Sequence, residues 1–203
     1  MIPNDVSLEN FWYLVIRLKD DAHRCLEELD KTADADEVGK SFWSSMYARA
    51  VFAFIDGTVH GMLFQAYIGR NRRDVTFSSE EMTRLESYFD FDGDREAISI
   101  SRRGEMLTDL RFAFVAFARA HTSNYVLPIG DRKWVLIKGI ARIRMTLENA
   151  LTRDQLEVYP ENIDTLLYGM KWFVERIMDL LKSVEEALSE EATDDAHDNE
   201  LIM

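Results

Sequence analysis

The sequence predicts an all-α protein, a helical bundle of about five main helices with a small irregular insertion. Three observations carry this expectation. Only three prolines and nine glycines punctuate 203 residues, which favours long helices over many short strands. Apolar residues recur at three/four spacing through several of the unbroken stretches, the signature of one buried helix face. The run from Ser41 to Ile68 is apolar almost all round, as a central helix covered on every side is.

Taken in order, residues 1–6 are a lead-in and Ser7 can cap a first helix running to about Asp30. Leu8, Phe11, Trp12, Val15, Leu18, Ala22, Cys25, Leu26 and Leu29 form its buried face. KTADADEVGK is a polar connector to the central helix, and GRNRRD (69–74) is a basic turn. Residues 71–103 read as the insertion. Ser78 and Glu81 there have capping-box spacing for a short helix, DFDGDRE reads as a loop, and AISIS alternates like a strand. A helix from Gly104 to Ala120 follows. Asp131 is the candidate N-cap of a helix reaching Leu151. After a strand-like LEVY, a last helix starts near Glu161 with an apolar stripe from Ile163 to Leu188. Residues 1–189 are expected to form one domain. The acidic tail 190–203 is expected to be disordered.

Charge and composition narrow the function classes. The net charge is −13, but Glu185–Glu200 holds eight acids and no Lys or Arg. Without those eight, 29 acids face 24 bases, a net of −5. General long-range attraction to nucleic acid is not supported, while a local basic site stays open. One cysteine, Cys25, excludes an internal disulfide framework and a cysteine zinc cage. The start MIPNDVSLEN lacks a basic n-region followed by an apolar core, so the cytoplasm is the expected compartment. Ala48–Ile68 is the nearest approach to a membrane span. It carries Arg49, Asp56 and His60, which are costly at mid-membrane, and reads as a buried helix.

Two clusters bear on chemistry. Arg49, Asp56 and His60 share one stripe of the central helix. They read either as a satisfied buried polar network, with Arg49 paired to an acid on a neighbouring helix, or as the wall of a pocket. In the helix from Trp134, the face expected to be buried is Leu136, Ile140, Ile143, Leu147 and Leu151. Arg142 then points away from the core and Arg144 borders it. Arg144 and Glu148 have ion-pair spacing. Lys138, Arg142 and Arg144 read either as a solvated basic face or as an anion- or nucleotide-binding surface.

The stretches IARIRMTLENAL, LEVYPENID and LLYGMKWF resemble, in that order, the C-terminal half of HEPN domains. ARAVFAFIDGTVHGML resembles their long central helix, with Asp56 where an acid often stands. The resemblance spans about half the chain and rests on pattern. It implies an all-helical domain that forms a homodimer. In its catalytic members it implies a metal-independent ribonuclease using an Arg, four to six residues, then His. Arg144 matches the arginine, but Asn149 stands in the first histidine slot, and asparagine cannot exchange a proton near neutral pH. What the resemblance then implies is a non-catalytic binding or regulatory module for RNA, a nucleotide or a partner protein, in a toxin–antitoxin or defence setting. The alternative is an active ribonuclease drawing on Arg144, Glu148, Asn149 or His60.

The rival from another class is a metal-dependent helical bundle. Asp20/His23 and Asp56/His60 can each direct two ligands one way, and His121 lies on an apolar stripe. No Glu-x-x-His pair is present, and neither metal nor cofactor is expected. The acidic run Asp90, Asp92, Asp94 and Glu96 lacks the glycine and the closing glutamate of a calcium loop, since Arg95 and Ser101 occupy those places. No phosphate-cradling glycine loop and no nucleophile elbow occur.

Overall fold

In the computed structural model, residues 8–70, 76–91, 98–100, 106–149 and 157–200 are described. The protein is all-α. Its elements are α1 (Leu8–Lys31), α2 (Glu37–Gly69), α3 (Ser79–Glu86), β1 (Phe89–Phe91), β2 (Ile98–Ile100), α4 (Met106–Ala120), α5 (Trp134–Glu148) and α6 (Pro160–Glu200). The described chain divides into two compact units. One holds Ser7–Gly61 with Pro128–Glu175, the other Met62–Leu127 with the chain from Arg176 onward. Both units draw on α2 and α6, so the division interrupts two continuous helices rather than a linker.

In the first unit, α1 buries the face its spacing predicts: Phe11, Val15 and Ala22 are buried. The α1–α2 turn ends at Asp36, whose side chain accepts the Gly39 amide at 2.8 Å. That cap starts α2 at Glu37, earlier than the apolar run alone suggests. Along α2, Tyr47, Val51, Phe54 and Ile55 are buried. Gly61 lets the two helices approach closely, because a Cβ there would lie 2.9 Å from the Phe11 ring. The helices α5 and α6 meet in the same way. A Cβ on Gly139 would sit 2.6 Å from the Thr165 methyl, and one on Gly169 2.5 Å from Ile140 Cδ1. Helix α2 is long and apolar enough to cross a membrane, yet 56% of its most apolar window is buried inside the protein, as in a core helix.

In the second unit, Ser78 and Glu81 close the expected capping box, with the Ser78 amide donating to Glu81 at 2.9 Å and the Glu81 amide to Ser78 Oγ at 3.3 Å. Arg119 of α4 pairs with the same Glu81 carboxylate, and Tyr88 donates to Asp109. Strand β2 falls on AISIS as expected and pairs antiparallel with β1, Phe89 opposite Ile100. Helix α4 carries buried Leu110, Phe114 and Phe117. It ends at Ala120; two residues on, Thr122 adopts φ 56°, while the Ser123 amide reaches back to the Ala118 carbonyl at 2.9 Å.

Three expectations need correction. Residues 157–159 of LEVY form no strand, and Val158 is buried in an irregular lead into α6. Asp90 and Phe91, expected to open the DFDGDRE loop, belong instead to β1, a strand too short to show periodicity. The acidic end is not a disordered tail, because α6 stays helical to Glu200. No Pro or Gly interrupts it after Gly169, and extending a helix already packed upstream costs far less than nucleating one. The calcium-like loop at 92–97 and the basic turn at 71–74 lie outside the described residues, as does Leu151.

Candidate functional site

The site is built on α5, and its geometry follows from which face α5 buries. Trp134, Ile137 and Ile140 are the buried residues of this helix, whereas Leu136, Ile143 and Leu147 are only half-buried. At about 100° per residue, the buried face centres on Ile137 and lies about 80° from the direction the leucines suggested. Arg144 is then about 20° from the middle of that face. It does not border the core; it points into it. The misreading came from weighting the leucines, when Trp134 fixes the face. Its ring meets Trp172 of α6 edge to face at 5.6 Å.

A guanidinium directed inward needs acceptors. Arg144 finds two. Its Nη1 donates to both oxygens of Asp56 on α2, at 2.6 and 2.7 Å, and its Nε donates to Glu148 at 2.8 Å. The Arg144 side chain is 18% exposed, Asp56 34% and Glu148 57%. Burial works against the Arg144 charge, but the bonds to Glu148 and Asp56 outweigh it and hold its pKa above the ordinary arginine value. One cation between two carboxylates leaves a local charge of about −1. The guanidinium is therefore occupied rather than presented to an incoming anion.

The other predicted residues divide around this triad. Asn149, in the histidine slot, is the C-cap of α5: its Nδ2 donates to the Met145 carbonyl at 2.8 Å. Lys138 and Arg142 are exposed. They lie about 120° and 160° around α5 from Arg144, so the three do not form one basic surface. Arg49 is exposed and is not part of a buried network. Its long stem carries the charge to water, and among the described residues no acid on a neighbouring helix pairs with it. His60 is half-buried one turn beyond Asp56 and takes no part in the Arg144 bonds. Among the described residues no three His, Cys, Asp or Glu side chains are grouped to hold a metal ion. His23 is exposed and His121 is buried on α4's end against Phe117.

One contact was missed by sequence reasoning. Asp131, in the turn before α5, accepts the Lys133 amide at 2.9 Å and the Trp172 indole N–H at 3.0 Å. It caps the turn entering α5 and ties that entry to α6. The available signal was Trp172 itself, because a buried indole N–H requires an acceptor. Comparison with protein-family models, curated proteins and solved structures finds no match for this chain.

Proposed function

We propose that this protein is a non-catalytic, HEPN-like binding or regulatory module that acts as a homodimer and meets an anionic partner, RNA or a nucleotide, through the exposed side of α5. The observation that carries the reading is the closure of Arg144 between Asp56 and Glu148. The arginine and its two carboxylates satisfy one another, and Asn149 is spent on the helix end. Among the described residues, side chains spent on one another in this way are poorly placed to pass a proton to and from a phosphodiester, which supports the non-catalytic reading. The exposed cations Lys138 and Arg142 stand one helical turn apart, and that spacing suits backbone phosphates read without sequence preference.

The test is fluorescence anisotropy of a labelled single-stranded RNA at low and moderate salt, with intact RNA followed on a gel in the same samples. The module reading expects binding that weakens with salt, is lost in Lys138→Glu/Arg142→Glu, and leaves the RNA uncut. Absence of binding to RNA and to mononucleotides alike would overturn it. Cleavage that disappears in Arg144→Ala would instead favour the ribonuclease alternative with Glu148 or His60 as the base. Light scattering in the same buffer checks the dimer.

A further inference from the structure

One face of α5 is left open on the first unit. Val135 and Met145 are 62% and 59% exposed, and Lys138 and Arg142, between them in the sequence, are exposed as well. At about 100° per residue the four fall within about 80° of the helix circumference. Their order is apolar, cation, cation, apolar, at intervals of three, four and three residues. This is the spacing at which one helix presents a seam to another. The only acid of α5, Glu148, is bonded to Arg144, and neither cation is held in an ion pair among the described residues.

The matching charge stands at the end of the same chain. Along α6, the buried Leu166, Met170, Phe173, Ile177, Leu180 and Val184 recur at alternating intervals of four and three. Carried on at the same intervals, the register reaches Ala187, Glu191, Asp194 and Asp198. The positions that hold apolar residues upstream thus hold acids here. Residues Glu190 to Glu200 include six acids and no Lys or Arg, in a segment that is helical through Glu200. Acids at this end of a helix oppose its dipole, because the last carbonyls already place negative charge there. A cationic partner brought to this end offsets both the crowded acids and the dipole.

We infer that the acidic end of α6 from a second copy of this chain docks antiparallel on the open face of α5, with Asp198 against Lys138 and Asp194 against Arg142. The two acids and the two cations are each four residues apart, so one register satisfies both pairs. The antiparallel sense also sets the positive start of α5 beside the negative end of α6. The occupant is a second copy because α6 is helical without a break from Pro160 to Glu200 and contains no turn on which its own end could double back. Exchanged mutually, two copies make the contact twice. The pairs lie near water, so each is weak and salt-sensitive. The consequence for function rests on the RNA reading above: the docked acids cover the cations that meet phosphates, and the anion surface is shielded until RNA displaces them.

Carbodiimide coupling, which joins a lysine to a touching carboxylate, tests the docking on a mixture of ordinary and heavy-nitrogen full-length chains. The expected product is a mixed-isotope link from Lys138 to Asp194 or Asp198, found by mass spectrometry at low salt and lost at high salt. A mixture of Lys138→Glu/Arg142→Glu with Asp194→Lys/Asp198→Lys restores opposite charges at both contacts. It should give the link between variants and associate in sedimentation about fivefold more tightly than either variant alone. Three results would overturn the docking: no link, links within one isotope only, or links to Glu185 and Glu186 as frequent as those to Asp194 and Asp198. Shielding is read in the RNA anisotropy assay. Asp194→Asn/Asp198→Asn should tighten RNA binding about fivefold, and Glu185→Gln/Glu186→Gln, which removes equal charge elsewhere on α6, should change it far less. Equal tightening in the two variants would overturn the shielding. A mixed link in a chain that binds no RNA keeps the docking and removes the RNA reading, and RNA binding without the link does the reverse. Circular dichroism of each variant separates lost docking from lost helix.

Discussion

At the residue scale, the Asp56–Arg144–Glu148 group is a half-buried ion triad. Its energetics lie between an exposed pair, worth about 0–1 kcal/mol, and a buried one, whose one-sided removal costs about 3–5 kcal/mol. With Asp56 about a third exposed, solvent screening argues for the lower part of that span. Arg144→Ala should cost about 2 kcal/mol by urea denaturation. Combining it with Asp56→Ala should cost less than the sum, with a coupling of about 1 kcal/mol. A coupling near zero would show that the pair contributes no more than a surface contact. The Arg144–Glu148 half was legible from its four-residue spacing. The Asp56 half was not, because 88 residues separate the partners.

Glu81 offers a pH test at the same scale. Burial raises its carboxyl pKa, but hydrogen bonds from Ser78 and the charge and hydrogen bond of Arg119 outweigh burial and hold it below the ordinary glutamate value. A depressed folded pKa contributes stability above the unfolded pKa, and that contribution is lost as pH falls through the folded one. The stability gap between the native chain and Glu81→Gln should therefore be full above about pH 5 and shrink on acidification. Denaturant midpoints measured from neutral pH down to the acid limit of folding would reveal a gap that fails to shrink.

At the element scale, the crossing of α5 on α6 depends on small residues facing large ones. Gly169→Leu must push Ile140 and Leu136 aside and should destabilise by about 1–3 kcal/mol through overpacking. It should also loosen the Trp134–Trp172 contact, visible in near-ultraviolet dichroism. The end of α4 gives the opposite sign. Thr122 is a β-branched residue at φ 56°, a region that costs an L residue about 1–2 kcal/mol. Thr122→Gly relieves this and should raise stability by about 1 kcal/mol, offset in part by loss of its hydroxyl bond to the His121 carbonyl. Thermal unfolding showing a lower midpoint would contradict the strain argument. Nothing in the spacing of ARAHTSN marks that position, because strain of this kind is set by the route the chain takes after the helix.

At the scale of the whole molecule, charge is segregated along the chain. Ending the chain after Ser189 removes six acids and brings the net charge from −13 to −7. Among the side chains described, Val184 is the last fully buried one on α6. Stability should therefore change by no more than about 0.5 kcal/mol, while far-ultraviolet dichroism loses the signal of the helical turns from Glu190 to Glu200. An unchanged spectrum would mean that the acidic end is not helical in solution. Any RNA association at low salt should quicken in the shortened chain, since less negative charge repels the approaching strand.

The sequence alone determined the all-α class, the order of the main helices, the capping box at Ser78 and the buried stripes of α1 and α6. These depend on local propensity and on periodicity within one element, both written in neighbouring residues. Tertiary structure decided the rest. The rotation of α5 was set by Trp134 packing on Trp172. That rotation turned Arg144 inward to Asp56 and left Lys138 and Arg142 in water, and the Trp172 indole fixed the use of Asp131. Each joins side chains far apart in the chain, and no periodicity within one helix specifies which partner on another will meet it.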